Sequence, residues 1–311
     1  MKAKLNNSRT SPNPSLERRG KLVVVLGPTA SGKTDLAIKL AKKFNGEIVN
    51  ADSRAIYREM KTATARPTLK EGGVRHHLVN FVAPDQDFSL SDYKSLAIDK
   101  INDIIRRGKT PFLVGGTWLY ISSVVDNLDF PKVGPNKKFR EKLEKIKSEV
   151  LHKKLEKQDK EASLKIHPND KRRIIRALEV VHFSGKKISE QQKKGKQLFD
   201  VLKIGVKRDL EDVEKRARLR IKKDMGEKLI RETRKLLKKY NSKLPSMSSI
   251  GYHEIGEYLH GLISKEQAYK NLALNTRRLA RYQLNTFSKD KKIKWIKNFT
   301  DASDKVKKFL K

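Results

Sequence analysis

Along the first third of the chain the apolar positions fall into two rhythms. LVVVLG (22–27) is nearly unbroken, the form of a strand buried on both faces. After a short polar loop Leu36, Ala37 and Leu40 recur at helical spacing, predicting a helix from Lys33 to Phe44. GEIVNAD (46–52), HLVNFV (77–82) and TPFLVGGT (110–117) read as three further strands. Between the last two, Tyr93, Leu96, Ala97, Ile101, Ile104 and Ile105 line one face of a helix from Ser89 to Arg107. Strands alternating with helices in this way predict a parallel sheet covered by helices.

After Pro131 the pattern becomes lysine- and glutamate-rich and helical. One helix is sharply marked: RRIIRALEVVHFSG, with Asn169 or Asp170 of HPND as its cap and Gly185 as its stop. VLKIGV (201–206) alternates again and predicts a strand returning to the first sheet. Residues 132–200 are therefore expected to be an inserted all-helical lobe, and residues 21–131 with 201–311 a core domain carrying C-terminal helices. The remainder is expected to be helical apart from the loop NSKLPSMSSIGY (241–252). Residues 1–20, polar and aperiodic with Pro12 and Pro14, are expected to form a disordered leader.

Charge sharpens this division. The 311 residues carry a formal net charge of +36. Residues 21–131 hold 16 Lys and Arg against 12 Asp and Glu, whereas residues 132–311 hold 51 against 23. A polyanion partner for the second part follows from counterion release, although helices with solvated lysine faces would have the same composition. There is no cysteine, so no disulfide framework, and the seven histidines show no HExxH spacing for zinc. No apolar run is long enough to span a bilayer and no signal-peptide pattern opens the chain, so the expectation is a cytoplasmic protein with no membrane partner.

GPTASGKT places Gly27, Gly32, Lys33 and Thr34 in the pattern G-x-x-x-x-G-K-[ST], between a predicted strand and a predicted helix. In that context the loop of Gly27, Pro28, Thr29, Ala30, Ser31 and Gly32 binds phosphate, its non-proline residues turning backbone N–H groups toward the oxygens. Lys33 supplies an ammonium, and the Thr34 hydroxyl is the expected ligand of Mg2+. The fold class expected is α/β, a P-loop NTPase-like parallel sheet flanked by helices, with the helical lobe inserted. The pattern fixes a phosphate but not a reaction. Phosphoryl-transfer enzymes add an acid at the end of another strand, whereas PFLVGGT ends in Gly115, Gly116 and Thr117. The acid available is Asp52, and ligands of open parallel sheets bind outside the carboxyl ends of strands, which gathers Asp52, Thr117 and the loop. On their own Asp52 reads equally as a helix cap and Thr117 as a backbone-tied hydroxyl. A small-molecule or nucleotide kinase, and a non-catalytic basic RNA-binding protein, stay open on these residues.

GPTASGKTDLA, VNADSRAIYREM, TATARPT, HHLVNF, DFSLSDY, PFLVGGTWLY, IHPNDKRRIIRALEV and TRRLARYQ, in this order and spanning about residues 21–296, resemble the tRNA dimethylallyltransferase (tRNA isopentenyltransferase) family. The resemblance implies that the loop binds dimethylallyl diphosphate and that the prenyl group passes to the exocyclic amine of the adenosine 3′ of the anticodon. Diphosphate would leave intact. It implies Asp52 as the acceptor of the amine proton and Thr117 as its assistant. Asp52, Ser53, Arg54 and Ala55 with Thr117 would form the pocket of a flipped base. Arg140, Arg172, Arg173, Ile174, Ile175 and Arg176 would bind the anticodon stem-loop of tRNA. It further implies an arginine reaching the diphosphate, with Arg220 the first candidate and Arg216 the second. Four positions depart from the family pattern: Lys228 stands for a usual glycine, Ser248 and His253 for common arginines, and Thr286 for an aromatic. A monomer is the simplest working unit expected.

Overall fold

The computed structural model describes residues 19–64, 71–131, 133–191 and 193–311. The leader expected over residues 1–20 falls almost wholly outside the described residues, as do residues 65–68 of TATARPT. The apolar run forms β1 (Lys21–Leu26), and Leu22 to Leu26 are completely buried. The loop leads into α1 (Lys33–Lys43), followed by β2 (Gly46–Asn50), β3 (His76–His77), α2 (Leu90–Arg106), β4 (Thr110–Gly115) and α3 (Trp118–Val125). Ser89 and Asp92 close a reciprocal capping box at the start of α2, which fixes where that helix begins. The chain returns in β5 (Asp200–Val206) and ends its sheet in β6 (Lys294–Ile296). All pairings are parallel, in the order β3-β2-β4-β1-β5-β6.

Two expectations change. HLVNFV is not a six-residue strand: Leu78 and Asn80 both take φ near +58°, which turns the chain off the sheet after His77. Val82 then bridges to Tyr57 instead. The C-terminal part is not helical throughout, because Lys294–Ile296 adds an edge strand beside β5. Its alternation is too short for periodicity to reveal.

Between β4 and β5 lie α4 (Lys137–Glu144), α5 (Ser148–Gln158), α6 (Lys160–Lys165), α7 (Lys171–Ser184) and α8 (Ile188–Gln191). Asp170 is the cap of α7, accepting the Arg173 N–H, and Gly185 ends it at φ 65°. These helices bury Leu143, Leu151, Leu155, Ile174, Ile175 and Leu178 against one another, in a cluster separate from those on the two faces of the sheet. After β5 come α9 (Leu210–Arg220), a π-helical stretch (Ile221–Met225), α10 (Gly226–Lys239), α11 (Tyr252–Leu259), α12 (Lys265–Phe287) and α13 (Phe299–Leu310). Met60, Leu229, Tyr252, Ile255 and Leu272 are at the centre of this helical layer. No helix among the described residues is long and apolar enough to cross a membrane.

Candidate active site

Three neighbouring strands deliver the chemistry. Asn50 lies opposite Val114, and Leu26 opposite Gly115, so β2, β4 and β1 all end at one level. Asp52 and Gly27 are thus two strand spacings apart, about 10 Å. Only glycine fits at Gly115, where a Cβ would lie 2.1 Å from the Ala51 carbonyl oxygen. The ends of β2 and β4 can therefore close on each other.

The loop 27–32 is a built cradle. Ala30 and Gly32 have φ of 59° and 85°, and Gly32 caps α1 without any side-chain acceptor, leaving the first N–H groups of that helix unsatisfied and pointing into the loop. The Ser31 hydroxyl is buried and has no partner among the described residues. Lys33 donates to the Pro28 carbonyl at 3.1 Å, and burial pulls its ammonium below the usual lysine value despite the opposing attraction of Asp52. Unsatisfied donors, an orphan hydroxyl and an under-solvated cation together call for an anion.

Asp52 stands at the end of β2, its backbone N–H held by Asn50 Oδ1 at 3.1 Å and its carbonyl by Asn50 Nδ2 at 3.0 Å. Its Oδ1 accepts the Arg54 N–H at 2.9 Å. A turn follows rather than a helix, so Asp52 is not a helix cap. Asn50 is fixed in turn by Leu78, and its carbonyl accepts the buried Tyr93 hydroxyl at 2.9 Å. Tyr93 stacks on Tyr120 with centroids 3.6 Å apart, and burial raises both phenols above the usual tyrosine value. The Tyr93 phenol stays a neutral donor to the Asn50 carbonyl.

Thr117 precedes α3 and does not cap it with its side chain. Its hydroxyl accepts the Ser53 N–H at 3.0 Å and lies 3.3 Å from the Ser53 hydroxyl, so Thr117 fixes the turn that presents Asp52. Ala55 is buried, while Arg54 reaches the Pro245 carbonyl at 2.8 Å and joins this turn to the 241–252 loop.

Two groups that the sequence patterns did not single out also hold the cradle. Gln283 of α12, buried, accepts the Thr29 N–H at 2.8 Å and donates to the Gly116 carbonyl at 2.9 Å, clasping the loop to the strand end that carries Thr117. Its signal was the last letter of TRRLARYQ. Arg208, directly after β5, lies against the Ser31 carbonyl at 3.4 Å while Asp212 anchors its other nitrogen at 2.7 Å. Its signal was its place beyond the carboxyl end of the strand beside β1. Asp212 also pairs with Arg216 at 3.3 Å. Arg220, farther along α9, donates to the Thr62 carbonyl at 2.6 Å.

In the helical lobe Arg140 holds both oxygens of the fully buried Glu179, at 2.8 and 2.6 Å, and Arg176 adds a bond at 2.7 Å. Ile174 and Ile175 are 0% and 2% exposed, so they support the helix from within and do not themselves touch a partner. Arg172 and Arg173 are the exposed members of RRIIR. Ser248 and His253 are exposed near Arg54's end of the loop, and Thr286 is half-buried on α12 with its hydroxyl donating to the Tyr282 carbonyl.

The profile described as IPP transferase matches residues 55–290. A tRNA dimethylallyltransferase from a Thermoanaerobacter species is 42% identical over 305 residues, covering 93% of this chain and 97% of that protein. Among solved structures, a full-length tRNA isopentenylpyrophosphate transferase from Bacillus halodurans is 34% identical with a TM-score of 0.69, covering 94% of this chain and 96% of the other. A eukaryotic dimethylallyltransferase acting on tRNA is 30% identical with a TM-score of 0.74, covering 86% of this chain and 69% of the other.

Proposed function

The chain belongs to the IPP transferase family, and from that premise we propose that it transfers a dimethylallyl group from dimethylallyl diphosphate to the exocyclic amine of the adenosine 3′ of the anticodon in tRNA, releasing diphosphate. The observation that carries the reading is the meeting, at three adjacent strand ends, of a cradle of backbone and side-chain donors with the Asp52 carboxylate, while β4 ends at Gly115, followed by Gly116 and Thr117, where a phosphoryl-transfer enzyme has a metal-binding acid. The carbon–oxygen bond of the donor breaks and a nitrogen–carbon bond forms. Diphosphate leaves into the cradle with the electron pair, where the loop N–H groups and Lys33 stabilise the oxygens on which charge develops. Adenine's exocyclic nitrogen is a weak nucleophile because its lone pair is delocalised into the ring. Asp52 accepts its proton as the new bond forms.

Thr117 acts by holding the Asp52 turn, and Gln283 by holding the loop to the same strand end. Arg208 is the arginine whose geometry best supports a diphosphate role, with Arg216 one carboxylate behind it and Arg220 on the flank. Mg2+ fits the donor set: the Thr34 hydroxyl is half-buried at the start of α1, and magnesium is held by few protein groups, with phosphate oxygens and water completing the octahedron. Bound there, it would supply charge neutralisation to the leaving diphosphate. The base must leave its stack to reach Asp52, and Arg172 and Arg173 with the rest of the basic lobe hold the anticodon arm. A tRNA substrate supports a cytoplasmic setting, and both half-sites come from one chain, which supports a monomer as the working unit.

Labelled dimethylallyl diphosphate with total tRNA tests this directly. Label should enter tRNA and appear as isopentenylated adenosine after nuclease digestion. ATP consumption without RNA labelling would favour a kinase, and tRNA retention without turnover would favour a binding protein.

A further inference from the structure

Far from the cradle, the π-helical stretch and α10 face the N-terminal turn of α12 across a surface cleft of about 670 Å³. Lys222, Lys223, Lys228 and Arg231 on one wall and Lys270 on the other converge on it. All five are exposed, and no side chain among them makes a hydrogen bond or an ion pair within 4 Å among the described residues. Two acids also line the cleft: Glu227 pairs with Lys265 and attracts Arg231, and Glu266 is exposed, so together they offset only part of the charge of the lysines and arginines around them. The floor is closed: a Cβ at Gly226 would lie 2.6 Å from the Tyr269 hydroxyl, so the two walls meet there through that glycine. A widened helical turn often marks a functional place in a helix, and here it carries Lys222 and Lys223.

The distance to the donor site follows from two helices. α9 leaves the loop at Arg208 and reaches the cleft at Ile221, and α12 leaves the loop at Gln283 and reaches it at Tyr269. Either path is about 20 Å at the rise of an α-helix. From Lys222 to Arg231 the cations extend over about 14 Å of helix axis. That length suits successive phosphodiesters and exceeds a single diphosphate. Partly compensated like charges held together are eased by a polyanion, and lysine side chains without a backbone N–H cradle suit register-setting contact with a sugar-phosphate chain.

We propose that this cleft is a second phosphate-backbone contact for the RNA substrate, distinct from the donor site and from the helical lobe. The proposal rests on the tRNA reading above and adds a place to it. The test uses the full chain, with Lys222→Ala, Lys223→Ala and Lys228→Ala combined, binding an unmodified tRNA transcript across a salt series. Losing three phosphate contacts should make the slope of log K against log salt shallower by about 2 to 3. Turnover at saturating tRNA and inhibition by diphosphate should stay within about twofold of the parent, a range far below the tenfold per 1.4 kcal/mol that separates real losses. Replacing the same three lysines with arginine should restore the slope.

An unchanged slope in a folded triple-alanine variant overturns the proposal. So does a variant that loses only diphosphate affinity, which would make the cleft a small-anion site. Should the parent bind tRNA yet never prenylate it, the reaction reading fails while the slope still decides the cleft.

Discussion

At the scale of single residues, Asp52 and Gln283 divide the work of the site. Asp52 has one oxygen committed to the Arg54 N–H, and in the proposed reaction its carboxylate accepts the proton of the amine. Asp52→Ala is expected to lower turnover by a factor on the order of 10² to 10⁴, as for other positioned general bases, with tRNA affinity nearly unchanged. Single-turnover prenylation alongside filter binding separates the two effects, and a normal rate would remove Asp52 from the chemistry. Gln283 spends its amide within the protein, its two hydrogen bonds joining the phosphate loop to Gly116. Gln283→Leu should leave a buried carbonyl unpaired and cost about 1 to 3 kcal/mol in urea unfolding. It should also raise the KM for dimethylallyl diphosphate more than the Kd for tRNA. Equal effects on both would argue for a general structural role.

At the scale of elements, charge placement distinguishes function from stability. Arg173 projects from α7 into solvent and among the described residues pairs with Asp170, while Arg140 and Arg176 close on Glu179. Arg173→Ala is therefore expected to weaken tRNA binding and reduce its salt slope by about 1, leaving donor affinity unaltered. An unchanged slope would return α7 to a merely solvated face. Beneath β2, at the other end of the sheet, Glu47 is buried and holds Arg107, Lys109 and His77 at 2.6, 2.8 and 2.7 Å. The Arg107 guanidinium first, then Lys109 and His77, keep its carboxyl well below the usual carboxylate range against the cost of burial. A depressed acid stabilises the fold above its unfolded value of about 4.3, and that stability is lost as pH falls. His77 is also lowered, because burial outweighs Glu47, so the unfolded chain binds the extra proton below about 6.5 and adds to the same loss. Glu47→Gln should thus flatten the decline in unfolding free energy between about pH 5 and pH 3, where the unfolded carboxyl takes up its proton. A decline as steep as the parent's would show that other carboxylates control it.

At the scale of the whole molecule, the chain leaves the sheet after α3, builds a helical lobe on its own core, and returns to lay β5 along the full length of β1. A lobe with its own core is expected to open on its own. Leu155→Ala, removing a fully buried side chain from it, should speed amide exchange in α5 and α7 while the sheet keeps its protection. Uniform loss of protection would mean that lobe and sheet unfold as one. Burial of both sheet faces makes β1 a continuous apolar run and gives β2 and β4 apolar centres, and phosphate binding demands glycine, lysine and threonine at set spacing, so these strands, the cradle and Asp52 were legible in the residues alone. The off-sheet turn after His77 depended on two left-handed residues, and β6 was too short to show a period. Nothing local says that Gln283 reaches back 254 positions to the loop, that Arg208 lies on Ser31, or that Arg140 and Arg176 share one buried acid. Local order follows from periodicity and turn chemistry, which neighbours in the chain carry. Partners across the fold are chosen by where packed helices bring side chains together, and that only the tertiary structure decides.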